Sequence, residues 1–334
     1  MQRIVLALVL ITAVLPAPIF SDKSKKVTRN ERKKANSAPV VIWEQPHEIK
    51  TRDLFYGPGG KTGLPKDPFK FIEEDHGGSS PKFVIVDGDG VRWKVKLAEE
   101  VRPETAATRL MWAVGYFADI NYYRPNIRVE GLPKLKRGQK YVIGNGLVQR
   151  ARLERIEKGV KEIGNWSWFD NPFVETQEFN GLRVMMALIN NWDLKESNNA
   201  IYDVQGREMR YVVSDLGATF GKTGDDWSRS KGDLKDYLKS SFIEEITPMN
   251  VDLVLHSRPP IPYVVAVPYY CNRTQMEKVA KAIPRAHAKW IGQWLGQLSF
   301  EQTKEAFRAA GYTPQEVEAY ARKLRERISQ LNGL

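Results

Sequence analysis

Cysteine is nearly absent. Cys271 is the only one in 334 residues, so no internal disulfide can form and packing alone must hold the fold. It stands between Tyr270 and Asn272 with no histidine pattern beside it, and is expected to be a partly buried thiol without a catalytic role. Histidine is scarce as well. His47, His76, His256 and His287 occur singly, without the close pairs that zinc needs, which argues against a zinc hydrolase. After the first fifteen residues there is no long apolar run, and no repeat of fixed period appears.

What is present is a globular composition, 42% hydrophobic and 27% charged. The chain is long enough for one large domain or two lobes. The formal charge is +11, but Lys23 to Lys34 holds seven basic residues and one acidic one. About half of the excess therefore sits in one short tail.

Met1-Gln2-Arg3 followed by an apolar run to Leu15 has the positive start and short core of a secretory signal. The run breaks at Pro16, short of the roughly 20 residues a span requires. Ala17 and Ser21 offer cleavage points, so the mature chain is expected to begin near Asp22 and to be exported, periplasmic or secreted; a retained N-terminal anchor is the alternative. No cysteine follows the run, which argues against a lipid anchor. We divide the chain into a signal (1–21), a basic flexible tail (22–45), a first lobe with a preceding irregular loop (46–150) and a helical second lobe (151–334).

In the first lobe, 69–72, 82–86 and 91–96 read as three successive antiparallel strands, with a turn at Gly88-Asp89-Gly90. Alternation puts Arg92, Lys94 and Lys96 on one face and Trp93 and Val95 on the other. Pro103-Glu104 opens a helix with apolar Ala107, Leu110, Met111 and Val114, ending near Gly115. Strands return at 126–129 and 141–148. In the second lobe a helix begins near Phe173, and 199–203 with 209–213 form a hairpin. Helices then follow at 276–283, 287–298, 300–310 and 314–331, the last with a cap at Thr313 and proline in its first turn. The fold class expected is α+β: an antiparallel sheet lobe carrying one helix, then a mainly helical lobe.

Between that helix and the hairpin lies Asp193-Leu194-Lys195-Glu196-Ser197-Asn198, and after the hairpin comes Asp215-Leu216-Gly217. Asp-x-x-x-x-Asn, a hairpin and Asp-Leu-Gly together resemble the catalytic and metal-binding loops of the protein-kinase-like superfamily. The likeness is to its atypical branch. Gly77-Gly78-Ser79-Ser80-Pro81-Lys82 is similar to a stretch of HipA-type kinases, and Asp215-Leu216-Gly217-Ala218-Thr219-Phe220-Gly221 to an ending found in CotH-like kinases; phosphatidylinositol kinases are similar too. The resemblance covers about residues 69–221 and departs from protein kinases at Trp192, at Leu216 and in lacking a long activation segment.

The resemblance implies a two-lobed fold and a phosphotransferase that uses ATP and Mg²⁺. Phosphoryl transfer needs a carboxylate to orient an attacking hydroxyl, oxygen ligands for the ion and a cation for the phosphates. It assigns the first role to Asp193, the second to Asn198 and Asp215, and the third to Lys96 held by Glu104, with Lys94 as the alternative lysine. Gly77, Gly78, Ser79, Ser80 and Lys82 are expected at the phosphates. The partners expected are a nucleotide and a hydroxyl acceptor on protein, lipid or sugar, with no nucleic acid. Two other readings stand beside it: a catalytically silent nucleotide- or ligand-binding module of the same fold, and a protein that docks on an anionic envelope through its basic tail and aromatic loops such as Trp166-Ser167-Trp168-Phe169 and Tyr269-Tyr270.

Overall fold

The computed structural model describes residues 38–223, 229–255 and 267–334. The expected signal, the basic run and its cleavage points, His256, and the side chains of Tyr269 and Tyr270 lie outside the described part. Among the described residues the fold is a mixed α+β one with twelve strands and seven α-helices.

Five strands close into a barrel. They are β2 (Phe69–Asp75), β3 (Lys82–Val86), β4 (Arg92–Lys96), β5 (Asn121–Glu130) and β6 (Leu147–Arg155), in the order β2-β3-β4-β6-β5. Strands β2, β3 and β4 run antiparallel, as alternation predicts. The antiparallel sheet expected here is closed by a short parallel seam that the sequence reading did not include, Phe69 beside Val129 and Lys70 beside Glu130. A pairing of two residues per strand leaves no periodicity to read. Phe83, Ile85, Trp93, Val95, Tyr122 and Leu153 fill the barrel. Period-2 alternation therefore turns Lys94 and Lys96 to its outside, where Arg152 and Glu154 of β6 lie across from them.

Helix α1 (Val101–Ala113) starts two residues before Pro103. A third-position proline is tolerated because the first N–H groups of a helix have no intrahelical acceptor. Its apolar residues Ala106, Ala107, Leu110 and Met111 enter the larger core, not the barrel. That core also takes Ile42, Ile49 and Leu54, so the irregular segment before β2 packs on the helical body. Gln302 fixes it by donating to the carbonyls of Ile49 and Arg52 at 3.0 and 2.9 Å. Residues 40–43, assigned above to the tail, are built in: β1 (Val40–Val41) pairs in parallel with a later strand, and Ile42 is buried.

Strand β7 (Val160–Gly164) joins the hairpin β8 (Asn199–Val204) and β9 (Glu208–Val213) in a second sheet, ordered β1-β9-β8-β7. Before the hairpin, α2 (Gln177–Leu188) is capped by the Thr176 hydroxyl, which accepts from Phe179 N at 3.1 Å. It is buried on most of its circumference and runs through the core. The remainder is α3 (Leu234–Lys239), the hairpin β10 (Ile243–Ile246) and β11 (Asn250–Leu253), α4 (Val267–Glu277), β12 (Ile283–Pro284), α5 (Arg285–Gly296), α6 (Phe300–Ala309) and α7 (Pro314–Asn332). The last two begin with capping boxes at Ser299 and Thr313.

Further expectations need correction. The helix placed at 276–283 ends at Glu277 and gives way to a 3-10 turn and to β12. The strand placed at 141–148 begins at Leu147, after a 3-10 turn at Gln139–Tyr141. Cys271 is exposed on α4. Trp166 and Trp168 are buried in the larger core, packed edge to face 4.8 Å apart, so this aromatic pair is not a docking surface.

Candidate functional site

The residues singled out from both halves of the chain meet where the outer face of the barrel abuts the helical body. Lys96 lies at the end of β4, and its ammonium contacts three carboxylates: Glu104 of α1 at 2.8 Å, Glu100 at 3.1 Å and Asp215 at 3.3 Å. Asp215 is 119 residues away in sequence. Between the two candidate lysines, it is Lys96 that pairs with Glu104; Lys94 pairs with Glu154 at 3.0 Å. Arg152, fully buried, stands behind Glu104 at 3.6 Å and holds Glu154 at 2.7 Å.

The second half of the cluster is the loop after α2. Asn190 takes a left-handed backbone, φ 54°, which ends the helix, and its side chain donates to the carbonyl of Gly221 at 2.8 Å. Phe220 N donates to Ile189 O at 2.8 Å, so the 190–198 and 214–221 segments are laced together. Asn198 completes the link. Its side-chain amide donates to Asp193 O at 2.7 Å and to Asp193 Oδ2 at 3.3 Å, while its own carbonyl accepts from Ser214 N at 2.8 Å and Asp215 N at 3.3 Å. An unbroken chain of contacts thus joins Glu104, Lys96, Asp215, Asn198 and Asp193.

Asp193 is held from both sides. Oδ1 accepts from Arg273 of α4 at 2.9 Å and Oδ2 from Lys195 at 3.0 Å. Burial works to raise its pKa, but Lys195 and Arg273 outweigh that and hold the carboxyl below its ordinary value. Burial likewise opposes the charge on Lys96, and Glu104, Asp215 and Glu100 more than compensate, raising its pKa above that of an ordinary lysine. Glu100 resists its own burial through Lys96, Lys231 and Ser80, and is pulled down to about 2. Asp119, partly buried near Glu154 and Arg152, is pushed up to about 7, chiefly by desolvation and then by the Glu154 charge.

The glycine-rich loop contributes less than expected. Gly77 N donates to Asp75 at 2.8 Å instead of facing the cluster, and the carbonyls of Gly77 and Gly78 accept from Arg137 at 3.3 and 2.7 Å. Lys82 leans toward Asp75 at 3.7 Å. Ser80 is the member that reaches the centre, donating to Glu100 Oε2 at 2.5 Å; no contact of Ser79 joins it there.

Glu100, Lys231, Arg152 and Arg273 belong to the cluster and escaped the sequence reading. Glu100 carried a usable signal, since it follows Lys96 by four residues; the other three reach their partners over 48 to 131 positions, where spacing says nothing.

The donor set suits a hard cation. Asp215 is about 42% exposed, and its Oδ1 is held by Lys96 and by Gly217 N at 3.0 Å, so Oδ2 is the atom it could offer to a cation. Asn198 engages Asp193 through its NH₂ and so has Oδ1 to offer. One carboxylate and one amide oxygen, completed by water and phosphate oxygens, is a donor set Mg²⁺ accepts. Among the described residues there is no closed group of three or more His, Cys, Asp or Glu for a metal. A shallow surface hollow of about 460 Å³ beside Lys239, Phe242, Ile246 and Lys323 shares no residue with the cluster.

Comparison with family models, with curated proteins and with solved structures finds no match for the chain.

Proposed function

We propose that the protein is an atypical kinase-like phosphotransferase on a two-lobed kinase-like fold, moving the γ-phosphoryl group of Mg-ATP to a hydroxyl on a protein, lipid or sugar. The observation that carries the reading is the contact chain from Lys96 and Glu104, through Asp215 and Asn198, to Asp193. Chance motifs in one sequence have no reason to meet across 119 residues.

Each residue then has a role fixed by charge and reach. Lys96 neutralises phosphate oxygens, and Glu104 with Arg152 behind it keeps the ammonium aimed. Asn198 and Asp215 would hold Mg²⁺, which when bound would neutralise phosphate charge. Asp193, kept ionised by Lys195 and Arg273, aligns the acceptor O–H. The acceptor oxygen forms the new P–O bond, the bond from the γ-phosphorus to the bridging oxygen breaks, ADP leaves, and the hydroxyl proton passes to Asp193 and on to water. A carboxylate with a lowered pKa is a weak base, so its main service is alignment.

The test is a thermal melt with and without millimolar Mg-ATP, followed by transfer from γ-labelled ATP, including to the protein itself. A ligand that binds the folded state alone raises the melting temperature. Asp193→Ala should keep the shift and lose transfer. Absence of any shift in the wild type, or undiminished transfer in Asp193→Ala, overturns the reading.

A further inference from the structure

The place where phosphate would meet Lys96 is already taken by a carboxylate of the chain itself. Glu100 Oε2 lies 3.1 Å from Lys96 Nζ and accepts from Ser80 Oγ at 2.5 Å. Its other oxygen accepts from Lys231 Nζ. Two ammonium groups and a hydroxyl, drawn from the barrel, the glycine-rich loop and the segment before α3, converge on one anion. That set of donors is what a phosphate oxygen seeks.

Glu100 is not bound there by the needs of its helix. It is the N-cap of α1, yet its side chain makes no capping bond. The connection that delivers it is strained, since Ala98 has φ 100°, a region unfavourable to a residue with a Cβ. The glycine of the Asp215 loop seats it: a Cβ on Gly217 would lie 2.9 Å from Glu100 Cβ and 3.1 Å from Asp215 Oδ1. The carboxylate is therefore placed against both the lysine and the metal-binding loop.

We propose that Ser80, Lys96 and Lys231 form the phosphate subsite of this protein, and that Glu100 is its internal occupant, which nucleotide phosphate must displace in order to bind. This rests on the kinase-like reading and adds to it Lys231 as a phosphate contact and Glu100 as an autoinhibitory group. The bound state has Glu100 turned away from both lysines, and the affinity of the protein for nucleotide is reduced by the fraction of molecules in which it stays in place.

The experiment is titration calorimetry of the full chain with Mg-ATP, comparing wild type, Glu100→Gln and Glu100→Asp, with apo melting and circular dichroism establishing that each variant is folded. Glu100→Gln removes the charge at unchanged shape and should tighten Mg-ATP about tenfold, the scale of one competing charge-assisted contact. Glu100→Asp, which keeps the charge but is shorter by one methylene, should fall between the two and serves if the glutamine variant does not fold. A positioning role, in which Glu100 merely holds Lys96, predicts the opposite: Glu100→Gln would bind more weakly. Equal or weaker binding by both variants, with the wild type still binding, overturns the occupant proposal and leaves the kinase-like reading standing. No binding by wild type or by either variant overturns both.

Discussion

Neutralising Glu100 should change stability in a way that depends on pH with a defined sign. Its carboxyl is pulled from an ordinary value of 4.5 down to about 2 in the folded protein. A lowered folded pKa contributes stability that is present above the unfolded pKa and is lost as pH falls through the folded one. A shift of this size corresponds to about 3 kcal/mol at pH 7, at roughly 1.4 kcal/mol per unit. The side chain is only 11% exposed, so solvent screening removes little of this. Glu100→Gln cannot carry the charge. In urea denaturation followed by tryptophan fluorescence it should therefore be about 3 kcal/mol less stable than wild type at pH 7. The deficit should persist at pH 5, shrink by about a third to a half at pH 3.5, and close toward pH 2 as the wild-type carboxyl is protonated. A deficit that does not vary between pH 7 and pH 3 would show that this carboxylate does not sit among the two lysines, and the subsite argument would fall with it.

Other perturbations follow from the same contacts. Arg327 is fully buried and donates to Leu188 O, Asn190 Oδ1 and Ser240 Oγ, each at 2.7 Å. Arg327→Met would strand these acceptors, and the expected loss is about 3–5 kcal/mol by denaturation; a loss below 1 would contradict the burial argument. Gly217→Ala drives a Cβ to 2.9 Å from Glu100 and 3.1 Å from Asp215. It should weaken the Mg²⁺ dependence of the nucleotide melt shift while leaving the circular dichroism spectrum intact, and an unaltered Mg²⁺ titration would refute that. Arg273→Ala removes one of the two cations that hold Asp193 down. The acid limb of transfer should move to higher pH, read from a pH–rate profile; an unmoved limb would separate Asp193 from the proton.

Part of this architecture could be read directly from the chain, and the division has physical causes. Strand β4 announces itself because Trp93 and Val95 alternate with Arg92, Lys94 and Lys96, and β3 because Phe83 to Val86 is a short apolar run next to a turn signal. Helix α7 does so through Thr313, Pro314 and Glu316, whose capping bonds are local. Barrel closure and β1 depend on parallel pairings two residues long, whose partners lie about 60 and 170 positions off. Such pairs satisfy backbone groups without imposing any side-chain pattern. At the site, Asp193, Asn198 and Asp215 were legible since their spacing is set by a hairpin that itself has a sequence signature. Lys231 and Arg273 were not, because a lysine that pairs with a carboxylate 131 residues earlier looks like any solvated lysine.

If the protein binds nucleotide as proposed, the charges around Lys96 bear on whether it could enter without a metal ion. Lys94, Lys96, Arg152 and Lys231 face Glu100, Glu104, Asp119, Glu154 and Asp215, four positive groups against five negative. Burial and the neighbouring Glu154 charge raise the Asp119 carboxyl, which lessens the negative excess without giving the cluster a surplus of positive charge. A triphosphate would bring several further negative charges into a partly buried region that has no excess of positive charge to receive them. Swinging Glu100 out relieves one. On the proposed reading the rest would be met by a divalent ion on Asn198 and Asp215, since uncompensated charge in a low-dielectric setting is costly. ATP with excess EDTA should accordingly give no melt shift for the wild type and at most a small one for Glu100→Gln, while Mg-ATP shifts both. A full shift with metal-free ATP would mean that the phosphates bind elsewhere, on a surface where this balance does not apply.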